Sequence, residues 1–512
     1  MTLMKTLFRS ALTASLLATG AIPLAAQPVQ PLNLSALPKI AEVDNRFQSY
    51  NIEMVEVTGG RFWAPYGGPP GEMYRQRAAL DLANPRLRHL ARQLKPAYVR
   101  VSGTWATNTY LPAEGEAVAK APNGFNEVLT RDMWRGVVGF SKALDAPIVT
   151  SFAAGIGTRD AAGVWTPAQA QRLIDLTRSA GGSLFAAEFF NEPNMPFASD
   201  LPKGYGSKEY VRDFKVFHAW ARRAAPNMLI LGPGSVGEGS IATNLPPHLA
   251  EALRISTSDA MMAGTPGSVD AVSYHHYGSG SQRCAAQGMA STTAADAMTK
   301  TWLTGTLKDA AYYAALRDKY EPGKPLWLTE TAQAACGGSP WASTFLDSFR
   351  YVSQLGQLAQ QGVRVVMHNT LSASDYALID EDTLTPRPNY WAAVLWARLM
   401  GPKVLAAPAA PSPEVGLYAH CLRGKPGGVA LAAVNSGTTA QSLALGKGAV
   451  AYVMTAAKLD DRTIEVNGAA PNVTGAGAVT GLAPRAVRSS LVLPPQSIAY
   501  VAVAGAGNPA CR

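Results

Sequence analysis

Two glutamates stand out by where they fall. In AEFFNEPNMP, residues 187–196, an apolar run gives way abruptly to Asn191, Glu192 and Pro193; in LWLTETAQAACGG, residues 326–338, a β-rich run delivers Glu330. A pair of carboxyl groups facing one sugar ring can hydrolyse a glycosidic bond: one protonates the leaving oxygen while the other attacks the sugar carbon or activates a water. A single glutamate after a strand is ordinarily a solvated loop residue or an ion-pair partner. Two of them, one preceded by an asparagine, reverse that preference. The Asn191 amide suits a bond to a sugar 2-hydroxyl, a contact that strengthens in an oxocarbenium-like transition state, and Pro193 stiffens the turn beside Glu192.

The two acids are far apart along the chain, so the fold must bring them together. Short β-rich runs alternate with helical patterns: QSYNIEM (48–54), AYVRVSG (97–103), PIVTSFA (147–153), AAEFFNE (186–192), MLILGPG (228–234), AVSYHHY (271–277), LWLTETA (326–332) and VRVVMHN (363–369). The intervening patterns include TPAQAQRLIDLTRSAGG, with Thr166 as cap, Pro167 in the first turn and Gly181 at the end. Others are KEYVRDFKVFHAWARRA, AADAMTKTWLTGTLKDAAYYAALRDKY and NYWAAVLWARLMG. Eight strand–helix units predict an α/β fold, a (β/α)₈ TIM barrel over 41–400, with a doubly wound open sheet as the competing parse. Barrel sites form at the carboxyl ends of the strands. Glu53 closes the first run, Glu192 the fourth and Glu330 the seventh. After Gly401 the texture changes to short apolar runs separated by Gly, Ser, Asn and Pro, which predicts a C-terminal antiparallel β-sandwich domain over 401–512. The extended stretch 27–40 is expected to lend it a strand.

Composition sets the compartment and the class. With 47% hydrophobic and 16% charged residues in a 512-residue chain, a large folded core is expected and disorder as the main theme is excluded. Residues 1–26 carry Lys5 and Arg9, then an apolar stretch from Ala11 to Ile22 and small residues at Ala25 and Ala26. That order is a signal peptide, too short in its apolar part for a bilayer span of about 20 residues, and it predicts a secreted or periplasmic protein with no membrane span after its removal. Cys284, Cys336, Cys421 and Cys511 allow three disulfide pairings; joining 284 to 336 and 421 to 511 keeps each bridge within one region, with free buried thiols as the alternative. The net charge of +9 favours acidic partners of every kind, and no Lys/Arg block dominates. RLRHLARQLK falls on a helix of the outer ring, where a solvated face is favoured over a nucleic-acid or heparin patch.

Several segments, in order, resemble one known family. FFNEPN and LWLTETAQAACGG are similar to the acid/base and nucleophile motifs of clan A retaining glycosidases. NPRLRHLARQLKPAYVRVSGTWATNTYL (84–111), SYHHYG and VRVVMHNTLSASDYALIDEDTLTPRPNYWAAVLWARLMGPKVL (363–405) resemble glycoside hydrolase family 79, the heparanase and β-glucuronidase group. The resemblance implies that Glu192 is the general acid/base and Glu330 the nucleophile of a retaining reaction, whose carboxyl groups stand roughly 5 to 5.5 Å apart. It further implies that Gly337 and Gly338, as backbone donors, and Tyr376 hold a glucuronate carboxylate; this chain has ACGGS where a longer glycine run is usual, so Cys336 is a third candidate donor. Glu53 and Thr104 match substrate contacts of the family. The implied activity is a secreted endo-β-glucuronidase acting on heparan sulfate-type polysaccharide.

His275 and His276 cannot readily share a metal, because neighbours on a strand point to opposite faces; with Tyr277 they are expected to wall the sugar site. No cofactor is called for, since two carboxylates and water suffice. Arg61, Arg159, Lys203 and Arg283 fall on loops of the catalytic face in this parse, as candidate grips for a sulfated chain. Two rival readings stay open at this level: an exo-acting β-glucuronidase of the same family, and a non-catalytic secreted polysaccharide-binding protein.

Overall fold

The eight apolar runs pair in parallel and close on themselves. In this computed structural model, which describes residues 31–69, 72–240, 256–287 and 289–512, they are β1 (Gln48–Glu53), β2 (Val99–Ser102), β3 (Ile148–Ser151), β4 (Leu184–Glu188), β5 (Leu229–Val236), β6 (Ala271–Tyr277), β7 (Leu326–Ala332) and β8 (Val365–His368). Each pairs with its neighbour in the chain, and β8 closes on β1, with Val366 beside Gln48 and His368 beside Tyr50. This is a (β/α)₈ barrel. The expected signal peptide, residues 1–26, lies outside the described residues.

The strands are inward and outward by turns, as the pleat requires. Tyr98, Val149, Ala186, Leu231, Ala271, Trp327, Val365 and Met367 form an apolar floor. The polar side chains of the site are the next layer above it.

Helices cover the outside, and two differ from their sequence pattern. Pro167 is itself the N-cap of the helix Ala168–Ser179, with no side-chain cap; Thr166 instead donates its hydroxyl to Thr158 O at 2.8 Å. The long pattern 294–320 is broken into Lys300–Leu303 and Thr306–Tyr320, with Gly305 between them, a residue that weakens a helix interior through backbone entropy.

The C-terminal module is an eight-stranded sheet, antiparallel in its pairings, plus two small two-stranded sheets, Gln441–Ala444 with Ser490–Leu493 and Asn472–Val473 with Val479–Thr480. Its strand Met400–Leu405 follows directly on the last barrel helix, Pro388–Leu399, and pairs with Lys39–Glu42. The strand Val429–Asn435 shows the division of labour: Ala430, Ala432 and Val434 belong to the barrel core, while Val429, Leu431 and Ala433 pack with Leu443, Leu491 and Leu493 in a second core. Tyr500 donates to Ala392 O of the barrel helix at 3.0 Å. Gly356 admits the Tyr418 ring, which a Cβ there would meet at 2.1 Å. The sheet is thereby fastened to the helical flank of the barrel formed by Phe345–Gln360 and Pro388–Leu399.

Two disulfides, Cys284–Cys336 and Cys421–Cys511, use all four cysteines. No helix among the described residues is long and apolar enough to cross a membrane.

Candidate active site

A cleft of about 560 Å³ opens at the carboxyl ends of the strands, lined among others by Glu53, Thr104, Glu192, Tyr277, Glu330 and Tyr376. Glu330 is 4% exposed, and its position depends on an irregularity in β7. The ladder slips between Tyr274 and His275 where β6 pairs with β7, and between Leu328 and Thr331 where β7 pairs with β8. Such a bulge lets consecutive residues face one side: Thr329 donates to Glu188 Oε1 at 2.6 Å, while Glu330 is bonded by Arg100 and Tyr277.

Glu192 is not at a strand end. β4 stops at Glu188, and Glu192 stands four residues on, in a turn where its φ is +48°, a conformation uncommon for a residue with a side chain. Asn194 holds this turn by both ends of its amide, accepting from Val236 N at 3.0 Å and donating to Val236 O at 2.9 Å. The strand-end acid that the sequence reading passed over is Glu188, fully buried below the cleft.

Between the acids lies Arg100, 1% exposed on β2. Its Nη1 donates to Glu330 Oε2 at 2.7 Å; Nη2 donates to Glu188 Oε2 and to Asn191 Oδ1, each at 2.8 Å. Nη2 has two hydrogens and both are thus engaged, so its 3.2 Å approach to His275 Nε2 is contact rather than a third bond. His275 Nδ1 donates to Glu192 Oε1 at 3.0 Å. Burial opposes a charge on this imidazole, yet Glu330, Glu188 and Glu192 around it push its pKa up to about 9.

The two candidate catalytic acids are driven apart. Burial raises Glu330, but His275 and Arg100, with Tyr277 donating to its Oε1 at 2.6 Å, outweigh that and hold it below the usual carboxylate range. Burial, with help from the charge on Glu330, lifts Glu192 above that range against the pull of His275. One carboxylate stays ionised where the other keeps its proton, the division of roles that acid-and-nucleophile chemistry requires. Turnover should therefore follow a bell: kcat/KM rises as Glu330 ionises, on the acid side of ordinary carboxylates, and falls as Glu192 loses its proton, on the alkaline side. A single sigmoid, or an alkaline limb that stays in place in the Glu192→Gln variant, would contradict this assignment.

Glu192, His275 and Glu330 offer donor atoms within 4.8 Å of one another, close enough to hold a cation. His275 Nδ1 would first have to lose its proton, and Arg100 already supplies a buried positive charge to Glu330.

The other expected site residues divide. Tyr277 and Tyr376 line the cleft, and Asn369 Nδ2 lies 3.1 Å from Tyr277 Oη, 3.3 Å from Tyr376 Oη and 2.9 Å from Glu53 Oε1. Glu53 is buried; burial, then the charge of Glu330, raises its pKa well above the ordinary range. A Cβ on Gly103 would stand 1.5 Å from Glu53 Oε2, so this glycine makes the room for it.

Four expectations need correction. Asn191 is 1% exposed and its Oδ1 is held by Arg100; it lies beneath the cleft rather than on its wall. His275 is likewise fully buried behind Glu192, and His276 faces outward, with Nδ1 2.5 Å from Asp309 Oδ2. Gly338 donates its N–H to Ala334 O at 3.2 Å, and Gly337 packs against Trp63 and Ser374; Ala335 and Cys336, rather than the glycines, are the cleft-lining residues of that loop. Arg159 and Arg283 are paired internally, with Asp213 at 2.5 Å and Asp375 at 2.8 Å.

Arg100, Glu188 and Asn369 were missed. A signal existed for the first two: a charged residue inside an otherwise apolar strand, YVRVS and FAAEF, is costly unless it is paired.

No family model matches the chain. It is 29% identical over 279 residues to Heparanase-like protein 1 of Arabidopsis thaliana, covering 53% of this chain and 47% of that protein. It is 25% identical over 388 residues to Heparanase of Mus musculus, covering 66% of this chain and 68% of that one. The chain is similar to heparanase and heparanase-like proteins over these spans. The match thus spans about half the length of the plant relative and two thirds of the mouse one. The chain also shares its fold with the crystal structure of a 4-O-α-L-rhamnosyl-β-D-glucuronidase from Fusarium oxysporum 12S: TM-score 0.65 at 15% identity, over 93% of this chain and 100% of that one. The likeness extends over both the barrel and the C-terminal sheet.

Proposed function

We propose that this protein is a retaining β-D-glucuronidase that makes internal cuts in a glucuronate-containing polysaccharide of heparan type, outside the cytoplasm. The observation that carries the reading is the approach of Glu192 and Glu330, with carboxylate oxygens within 4.8 Å across one cleft. Retaining enzymes keep their carboxyl groups roughly 5 to 5.5 Å apart, whereas inverting ones leave roughly 6.5 to 9.5 Å for a water. The names of the relatives and the two disulfides, which persist in oxidising compartments, support the substrate and the location.

The chain's own groups suffice for both steps. Glu330 attacks the anomeric carbon as the neutral Glu192 gives its proton to the departing oxygen, forming a glycosyl–enzyme ester. Glu192, now a carboxylate, takes a proton from water; the hydroxide displaces Glu330 and frees the sugar with its original configuration. In this reading Tyr376 and the backbone at Cys336 meet the glucuronate carboxylate, and Glu53, whose pKa burial pushes up, bonds a hydroxyl.

Product sizing and proton NMR of the nascent anomer test this. The β-anomer should appear first, among products of intermediate length. The α-anomer appearing first would overturn the retaining assignment, release of glucuronate alone the internal cuts, and tight binding without cleavage the enzyme reading altogether.

A further inference from the structure

Polysaccharides of heparan type range from unsulfated to densely sulfated, and the charges around the cleft bear on which is taken. The leaving group must lie on the side of the general acid. The loop that carries Glu192 also contributes Met195, Phe197, Ala198 and Asp200 to the cleft. Phe197 is 55% exposed, a large apolar side chain open at the cleft. Asp200 is exposed and accepts from Asn126 Nδ2 at 2.6 Å, which joins this loop to the one after β2, and Glu127 beside Asn126 lines the same cleft.

Among the described residues, no lysine or arginine lines the cleft, although the chain as a whole carries +9. The nearest base by sequence, Lys203 three residues beyond Asp200, is exposed and stands outside the cleft lining. Arg159 and Arg283 are in the buried pairs described above, and Arg61 lies over the Tyr74 ring at 5.5 Å, on the hairpin after β1 rather than on the acid's loop.

Resting on the glucuronidase reading, we infer that the leaving-group side of the cleft is built for an uncharged sugar and rejects a sulfated one, through Glu127 and Asp200, while Phe197 and Met195 offer an apolar face to the ring. A sulfate brought beside those carboxylates meets like charge, with no base among the described residues that line the cleft, a juxtaposition that costs affinity and discriminates between partners. An unsulfated N-acetylglucosamine meets neither penalty, and its apolar face can cover the exposed phenyl ring.

The experiment compares two tetrasaccharides of alternating β-linked glucuronate and N-acetylglucosamine, identical except for a 6-O-sulfate on the glucosamine that leaves. The expected kcat/KM ratio favours the unsulfated compound about tenfold or more, mostly through KM, and narrows as salt rises. In the double variant Glu127→Gln, Asp200→Asn the ratio falls towards one because the sulfated compound improves. Equal or better cleavage of the sulfated tetrasaccharide by the unaltered protein overturns the inference, as does a ratio that the double variant leaves in place. A 4-nitrophenyl β-D-glucuronide assay run alongside separates the two levels: if it too is inert, the glucuronidase reading fails and this inference with it; if it is cleaved, a wrong ratio counts against the inference alone.

Discussion

Replacing Glu330 with glutamine stops turnover, with a loss on the order of 10⁵-fold, while substrate still binds. The amide keeps the shape of the carboxylate and can still accept from Tyr277, but it cannot form the glycosyl ester. Glu192→Gln behaves differently, and the difference is diagnostic. On a polysaccharide, whose leaving alkoxide needs a proton, the loss is roughly 10² to 10⁴-fold. On 4-nitrophenyl β-D-glucuronide, whose phenolate leaves unaided, the first step is nearly intact and ester hydrolysis becomes limiting, so a burst of nitrophenol precedes a slow steady state. Equal losses on both substrates, or a Glu330→Gln variant with substantial turnover, would remove the assigned roles.

Arg100 gives the second large effect. Its guanidinium answers Glu188 and Glu330 from a fully enclosed position, so Arg100→Met leaves buried carboxylates without their partner. Breaking a buried pair in this way costs about 3 to 5 kcal/mol, read as a lower denaturation midpoint. The same change moves the acid limb of kcat/KM to higher pH. Arg100 favours the ionised form of Glu330, and without it more protons remain bound at a given pH. Arg100→Lys, which keeps the charge but loses the fork, should recover part of the stability and shift the limb less. That second variant remains informative if the methionine variant does not fold. An unmoved acid limb in Arg100→Lys, together with unchanged stability, would show that the buried network does not set the ionisation of Glu330.

Much of this was legible before any coordinates. The bounds of AVSYHHY and LWLTETA coincide with β6 and β7, because runs of β-branched and aromatic residues between turn-formers have few alternatives. The opposed faces of His275 and His276 follow from the pleat. Where local signals compete, as at Thr166 and Pro167, the reading slipped by one position. The fourth run shows a larger limit: AAEFFNE reads as one strand, but β4 ends at Glu188, and Phe189 and Phe190 continue into the core as irregular backbone. Both halves of that run are apolar enough for burial, and hydropathy does not distinguish a buried strand from a buried turn.

By itself the sequence determined which residues can be buried, where the strands and helices alternate, and hence the closed parallel barrel that gathers strand ends on one rim. It also held the two acids and their order. Only the tertiary structure decided which side chains face the cleft. The bulge at Thr329 and Glu330 depends on the pairing of β7 with both neighbours, and the left-handed turn at Glu192 depends on Asn194 meeting Val236. Likewise Arg100, Arg159 and Arg283 count as internal counter-ions rather than grips for substrate because their partners come from distant segments. A charge acts through what surrounds it, and those surroundings arise only when the chain closes.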